Sequence, residues 1–331
     1  MSYSPFLRAV GTLLLSTICL AGSRPDAHAP IGVMGDHLHA RNQIMVSYRM
    51  MHMDMPGQRQ GSQELSAHEV HALGHDAAAT NMSMNMHMMG AMYAPTKSVT
   101  LMLMGMWLEK DMTLQSSPHG MHGHGTHGHS SSGWGDTSLT ALIGLHQDDT
   151  HRVHLGLGVS LPTGAADVRQ AGTFLPYGMQ LGSGTWDFLP SVTYTGIADT
   201  WSWGAQISGK IREHARNDSG FTLGNAVSTT CWAARPLSES ISASARLVHH
   251  SEGAIAGHFN DTHGHAAPPH FPRNYGGQRL ECAAGLNLSP PTGPLAGHRI
   301  ALEVHVPVYQ DMNGIGMDTG ITFMAGWQKK I

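Results

Sequence analysis

From about residue 42 to the C-terminus, apolar and polar residues alternate with a period of two. Leu302, Val304, Val306 and Val308 stand against Ala301, Glu303, His305 and Pro307. Trp201, Trp203, Ala205, Ile207 and Ile211 stand against Ser202, Gly204, Gln206, Ser208, Lys210 and Arg212. A strand shows its side chains on opposite faces in turn, so this pattern demands sheets with one apolar and one polar face. Twelve such segments run at roughly 42–55, 80–93, 97–113, 137–147, 151–162, 185–198, 200–213, 221–234, 239–250, 277–289, 298–309 and 318–328.

A soluble sandwich also alternates, but these strands have the length of a tilted bilayer span. Their connections alternate too. "APTK", "QDDTH", "IADT", "RPLSES" and "SPPTGPLAG" are short, whereas the links near 56–79, 114–136, 163–184, 214–220, 251–276 and 310–317 are longer. Short turns at one mouth and long loops at the other are the habit of outer-membrane barrels. Only a closed barrel satisfies every strand N–H and C=O in lipid. The expectation is an all-β, transmembrane antiparallel barrel of about 12 strands, with both termini periplasmic.

The start of the chain agrees with export. Arg8 precedes an apolar run from about Ala9 to Ala21, followed by small residues, which is the shape of a signal peptide. Residues 1–29 are read as that peptide, cleaved after Ser23 or at Ala27-His28-Ala29, and residues 30–331 as one barrel domain. Cys19 offers a lipoprotein alternative, weakened by Ile18 before it. Cys231 and Cys282 fall on alternating strands and read as small apolar packing residues rather than ligands. A net charge of −4 gives no footing for nucleic acid.

Methionine is the second unusual feature. The chain has 22, and 17 lie between Met34 and Met121. Arg49 cannot cheaply face lipid, so Met45, Met51, Met53 and Met55 on its side of the first strand are assigned to the lumen. In the second strand the polar residues Asn81, Ser83, Asn85 and His87 suggest that His87 and Met89 face inward, with Met82, Met84, Met86 and Met88 toward lipid. In the third, Val99, Leu101 and Leu103 face lipid, leaving Met102, Met104 and Met106 inside. Thioethers are soft ligands suited to Cu(I), although Met also fills irregular apolar gaps.

Histidine, with 25 residues, is enriched separately. "HGMHGHGTHGH" carries His119, His122, His124, His127 and His129 between glycines, a flexible metal-binding composition. The 56–79 link has His68, His71 and His75, which would share a face on a short helix. The 251–276 link has His258, His263, His265 and His270. Ahead of the first strand, Met34, Asp36, His37 and His39 form a further soft-to-borderline cluster, at the periplasmic mouth or inside the lumen. Among charged residues, Asp187, Lys210, Arg212, Arg246, Arg279, Glu281, Arg299 and Glu303 fall on inward positions.

"APIGVMGDHLH" (29–39), "VSLPTGAAD" (159–167), "MQLGSGTWDFLPSVTY" (179–194) and "IALEVHVPVYQDMNG" (300–314) resemble an outer-membrane family labelled "MetA-pathway of phenol degradation". The resemblance covers most of the chain after the signal peptide. It implies an outer-membrane β-barrel with a transport role, and its Met- and His-rich branch looks like one linked to copper.

No phosphate loop, GxSxG, HExxH or CxxC motif is present, so no enzyme is expected. The reading is an outer-membrane channel or transporter handling copper or another soft metal. The alternatives are a barrel that sequesters metal without transport, and a channel for small hydrophobic or aromatic solutes. The implied partners are outer-membrane lipid, a solute or metal ion, and a periplasmic metal-handling protein.

Overall fold

A computed structural model describes residues 24–118, 125–213 and 215–331. His119, His122 and His124 lie outside the described residues, as do residues 1–23. Twelve antiparallel strands close into a barrel. They are β1 (Ile44–Met55), β2 (Ala77–Tyr93), β3 (Val99–Ser116), β4 (Thr137–Gln147), β5 (His151–Leu161) and β6 (Asp187–Ile197). The second half comprises β7 (Ser202–Arg212), β8 (Ala226–Pro236), β9 (Ile241–Glu252), β10 (Gly277–Leu288), β11 (His298–Met317) and β12 (Thr322–Lys330). Each strand pairs with its sequence neighbours, and β1 pairs with β12 to complete the circle. The Ile331 N–H donates to the Ile44 carbonyl at 2.8 Å, so both ends of the barrel reach the mouth that carries the short turns.

The outer surface is the lipid belt that the alternation requires. Ile44, Leu101, Leu103, Val159, Val192, Ile207, Leu286, Leu302, Val304, Val306 and Phe323 are all exposed there. Water would charge roughly 25 cal/mol for each Å² of such surface; hydrocarbon removes the cost. Aromatic residues flank the belt. Trp201 and Trp327 sit toward the short turns, and Trp134, Trp186 and Tyr309 toward the loops. Cys231 and Cys282 are both exposed and unpaired by disulfide on this outer face.

Three strands, β2, β3 and β11, outgrow the membrane. β3 continues to Ser116 and pairs with an extra strand, Thr126–Trp134. β11 continues to Met317, where it holds the short strand Gln58–Gly61. Above the barrel the link after β1 adds a helix, α1 (Ala67–Ala72), capped by a reciprocal pairing of Ser66 and Glu69. The expected start of the eighth strand near 221 is displaced to Ala226, because Phe221–Thr222 pairs with Ala256–Gly257 in a loop ribbon.

The family motifs have clear packing roles. Gly164 of "LPTG" and Gly182 of "QLGSG" lie so close that a Cβ on either would strike the other's backbone. The Asp136 carboxylate holds them there, accepting from Gly164 N at 3.0 Å and Ser183 N at 2.8 Å.

Candidate functional site

Residues 24–40 do not stay at the mouth but enter the barrel. Inward side chains of six strands bind this segment, mostly through its carbonyls. Ser202 Oγ donates to the Asp26 carbonyl at 2.6 Å and Ser242 Oγ to Pro25 at 2.9 Å. Arg299 Nη2 donates to Ala29 at 2.5 Å, Gln206 Nε2 to Met34 at 2.9 Å and His154 Nε2 to Gly35 at 2.8 Å. The His39 N–H donates to Thr100 Oγ1 at 3.0 Å, and Arg49 Nη1 lies 2.7 Å from the Met34 sulfur. An irregular segment in a membrane interior leaves its polar backbone unpaired unless protein supplies partners. The inward polar face supplies them.

Two glycines of "GVMG" make the path possible. Gly32 passes directly over the Arg246–Glu303 pair, where any Cβ would collide with the guanidinium, and its N–H donates to Glu303 Oε2 at 2.7 Å. Gly35 has φ +59°, a left-handed turn that favours glycine. The turn delivers Asp36 and His37 beside His28. The ligand atoms of His28, Asp36 and His37 all lie within 4.8 Å of one another. His37 Nδ1 is 2.8 Å from Asp36 Oδ1, and His39 stacks edge-on against His37 at 4.6 Å.

Three of these imidazoles have a buried nitrogen without a hydrogen-bond partner: His28 Nδ1, His37 Nε2 and His39 Nε2. Burial pushes the His28 imidazole well below its usual range and His39 down to about 3. Burial alone would raise the Asp36 carboxyl, but the adjacent His37 and His28 rings hold it well below the usual carboxylate range.

Above the segment, β1, β2 and β3 form a wall of sulfur. Met45 pairs with Met92, Met51 with Met86, Met53 with Met84 and Met55 with Met82. Across the next seam Met92 pairs with Met102, Met88 with Met106 and Met82 with Met112. Paired residues share a face, and Met45, Met82, Met88, Met92, Met102, Met104 and Met112 are buried. Met34 on the inserted segment and Met324 on β12 pack against them. Met50 and Met89, at 37% and 41% exposure, are the only described methionines that stand exposed on the outer surface.

This inverts the face expected for β2. Met82, Met84, Met86 and Met88 line the lumen, whereas His87 and Met89 point outward. The reason is strand length. Seventeen residues at about 3.3 Å each span roughly 56 Å, and tilt leaves well over 40 Å, far taller than the ~25 Å apolar band. Outward polar residues near the top therefore cost little, and polarity there does not mark the lumen. Asn85 is met by His52 Nδ1 at 2.7 Å and His87 by the Tyr48 hydroxyl at 2.7 Å, both on that outer face. The partner strand settles the matter, since Arg49, which is buried, pairs with Met88.

The opposite wall carries charge. Arg212 pairs with Asp187, and Arg246 donates to Glu303 Oε1 at 2.7 Å and to His305 Nε2 at 2.9 Å. His305 Nδ1 then donates to Glu281 at 3.0 Å, which also accepts from Arg279 Nε at 2.7 Å. The inward charges read from sequence fall where expected.

The described residues line three sizeable cavities. A chamber of about 640 Å³ lies between the two walls, lined by Met34, Met88, Met102, Met104, Met106 and the opposing Lys210 and Arg212. A second, of about 280 Å³, continues toward the loops, lined by Met53, Met55, Met82, Met84, Met112, Met312 and Met317. The third, about 860 Å³, opens at the short-turn mouth and is polar, with His39, Arg41, Asp148 and Arg152. Phe174, Tyr177, Phe221 and Phe259 stack over the loop end, with Tyr177 and Phe259 rings 4.1 Å apart.

The loop histidines are less gathered. His129 binds Gln170 at 2.9 Å and faces His127 at 5.8 Å on the Thr126–Trp134 strand. The His263 and His265 rings lie tilted 4.4 Å apart, and His258 lies 6.5 Å from His263. On α1, His71 turns to the His75 carbonyl at 3.0 Å while His68 stands exposed. Among the described residues, His28, Asp36 and His37 are the one group of three with ligand atoms so close. His28 escaped the sequence reading because it was assigned to the signal peptide.

Barrel, lipid belt and aromatic rims define an outer-membrane β-barrel, located in the outer membrane. Residues 91–253 match the family described as "MetA-pathway of phenol degradation". An outer membrane channel from Pseudomonas putida F1 superposes with a TM-score of 0.62 at 11% identity, covering 91% of this chain and 100% of that one. The transport unit of the autotransporter AIDA-I from Escherichia coli gives 0.48 at 8% identity, covering 90% and 93%. The toluene transporter TodX from Pseudomonas putida gives 0.40 at 10%, covering 93% and 92%. These last two superpose too loosely to bear on this chain. Comparison with curated proteins gives no match.

Proposed function

We propose that this protein is a non-enzymatic outer-membrane channel whose methionine wall passes a soft monovalent metal, Cu(I) or Ag(I). One observation carries the reading: on these three strands methionine prevails on the lumenal face, beside Leu108 and Leu114, while only Met50 and Met89 stand exposed outside. Ile44, Val46, Leu101 and Leu103 meet lipid, while Met45, Met92, Met102 and Met104 meet the lumen. Leu108 and Leu114 show that Leu also fits this inner face, so apolar filling alone does not call for methionine at the other positions. Thioether sulfur adds soft-ligand chemistry that Leu lacks. Neighbouring methionines recur at roughly 5 Å across strands and about 7 Å along them, close enough for an ion to pass between successive sites. The sulfur continues through both inner chambers.

Short turns and both barrel ends face the periplasm in this reading. The polar mouth cavity is then where a periplasmic metal-handling protein docks. Signal cleavage falls after Ser23, because residues 24–29 are held inside the barrel by Ser202, Ser242 and Arg299.

Ag(I) flux into proteoliposomes tests the channel, comparing wild type with M88L/M102L/M104L/M106L. A drop of at least tenfold is expected, with the barrel still folded. Equal rates would reduce the sulfur to packing. The aromatic cluster over an apolar chamber favours a second reading, a path for small hydrophobic solutes. Flux of an apolar aromatic probe that ignores the four substitutions would support it. Metal bound without any flux would make the barrel a sequestering protein.

A further inference from the structure

The thioether wall does not account for the imidazoles of the inserted segment, which have different chemistry. We propose that His28, Asp36 and His37 form a binding site for a borderline divalent cation, Cu(II) or Zn(II), that staples the N-terminal segment inside the barrel. The proposal is independent of the Cu(I) path.

Four observations support it. The three ligand atoms already lie within 4.8 Å of one another, with His28 and Asp36 buried and His37 nearly so. Ligands on a tetrahedral ion with bonds of ~2.1 Å sit about 3.4 Å apart, so modest ring rotations bring the set onto a metal. His28 Nδ1 and His37 Nε2 have no hydrogen-bond partner although they are buried. Such orphaned polar atoms cost free energy, and a cation would satisfy them. The Asp36 carboxylate already has an outer contact, with Oδ2 accepting from the Ala29 N–H at 3.1 Å. This is how second partners orient a ligating group.

Two imidazoles and a carboxylate suit divalent Cu, Zn and Ni, whereas a thioether set prefers the monovalent soft ions. The two sites therefore select different ions. His39, whose Nε2 is buried and unpartnered next to His37, is placed to supply a fourth ligand. The ligands come from two ends of a loop, 28 to 37, that turns at Gly35. One ion would close that loop and hold the segment on its seat between the walls.

The test uses the full chain in detergent, with His119, His122, His124, His127 and His129 changed to Asn to remove the loop's own metal affinity. Cu(II) is titrated and followed by electron paramagnetic resonance, and Zn(II) by calorimetry. One equivalent per chain is expected, with nitrogen coupling from imidazole, and with at least tenfold weaker binding in H28A/H37A and in D36N. Barrel closure in each variant is checked by heat-dependent gel mobility, and H28Q provides a milder change. Addition of Zn(II) should slow amide exchange at residues 29–39 by at least tenfold. A background chain that binds no equivalent, or an H28A/H37A chain that keeps the tight one, would overturn the site. M88L/M102L/M104L/M106L should keep the Cu(II) signal, which separates this site from the channel reading.

Discussion

The two walls of the lumen solve the same problem with opposite chemistry. On β1–β3, Met82, Met88, Met92, Met102, Met104 and Met112 bury sulfur against sulfur. On β6–β11, Arg212, Asp187, Arg246, Glu303, His305 and Glu281 bury charge against charge. The charged wall is rigid and specified, because each group's position is fixed by its partners and losing one strands the other. The methionine wall is adaptable, because an unbranched thioether fits many shapes. One side fixes the inserted segment, through Glu303 and Arg299, and the other leaves soft ligands free to rearrange around a guest.

The difference is open to experiment. The largest effect should come from E303Q. It leaves Arg246 buried with half its pairing and removes the acceptor for Gly32, so a loss of about 3–5 kcal/mol in urea unfolding is expected. A loss below about 1 kcal/mol would mean this wall is solvated and not a buried network.

Next comes pH, acting on the segment between the walls in metal-free protein. His39, pushed down to about 3 by burial, is neutral when seated and titrates near 6.5 when released. The released state thus binds more protons between these values. Seating is full above about pH 6.5 and weakens as pH falls toward 3. At pH 4.5 the loss should be roughly 2–3 kcal/mol from His39 alone, with His28 adding in the same direction. Asp36, held low, keeps its contribution until pH drops below its ordinary value near 4. Amide exchange at residues 29–39, corrected for intrinsic rate, reads this, and unchanged protection at pH 4.5 would contradict it.

The methionine wall should respond differently. M102L/M104L preserves volume, so stability should move by less than about 1.5 kcal/mol. Cu(I) affinity against a competing chelator should fall at least tenfold, about 1.4 kcal/mol. Parallel losses in both would assign the sulfur to packing. The smallest effect is expected for H87A and M89L. Both side chains leave the barrel on its outer face, so metal binding should not change and stability should shift by no more than about 0.5 kcal/mol.

The sequence by itself determined the barrel. Period-two alternation across twelve segments, with links that alternate short and long, leaves no other way to pair every backbone group in lipid. It also placed the charged inward positions, since Arg246 or Glu303 can face only one way at mid-membrane. It determined the lumenal methionines of β1 and β3, where Arg49 and the Leu101–Leu103 pair mark the faces.

Tertiary structure alone decided three things. The face of β2 follows from its pairing with β1, because a strand taller than the membrane has polar residues outside as well as inside. Local polarity therefore loses its meaning near the top. The entry of residues 24–40 into the lumen rests on hydrogen bonds from strands up to 270 residues away in sequence, such as Arg299 to Ala29. The meeting of His28 with Asp36 and His37 depends on a left-handed turn at Gly35. Alternation reports which side of a sheet a residue takes, but what that side encloses depends on partners far along the chain.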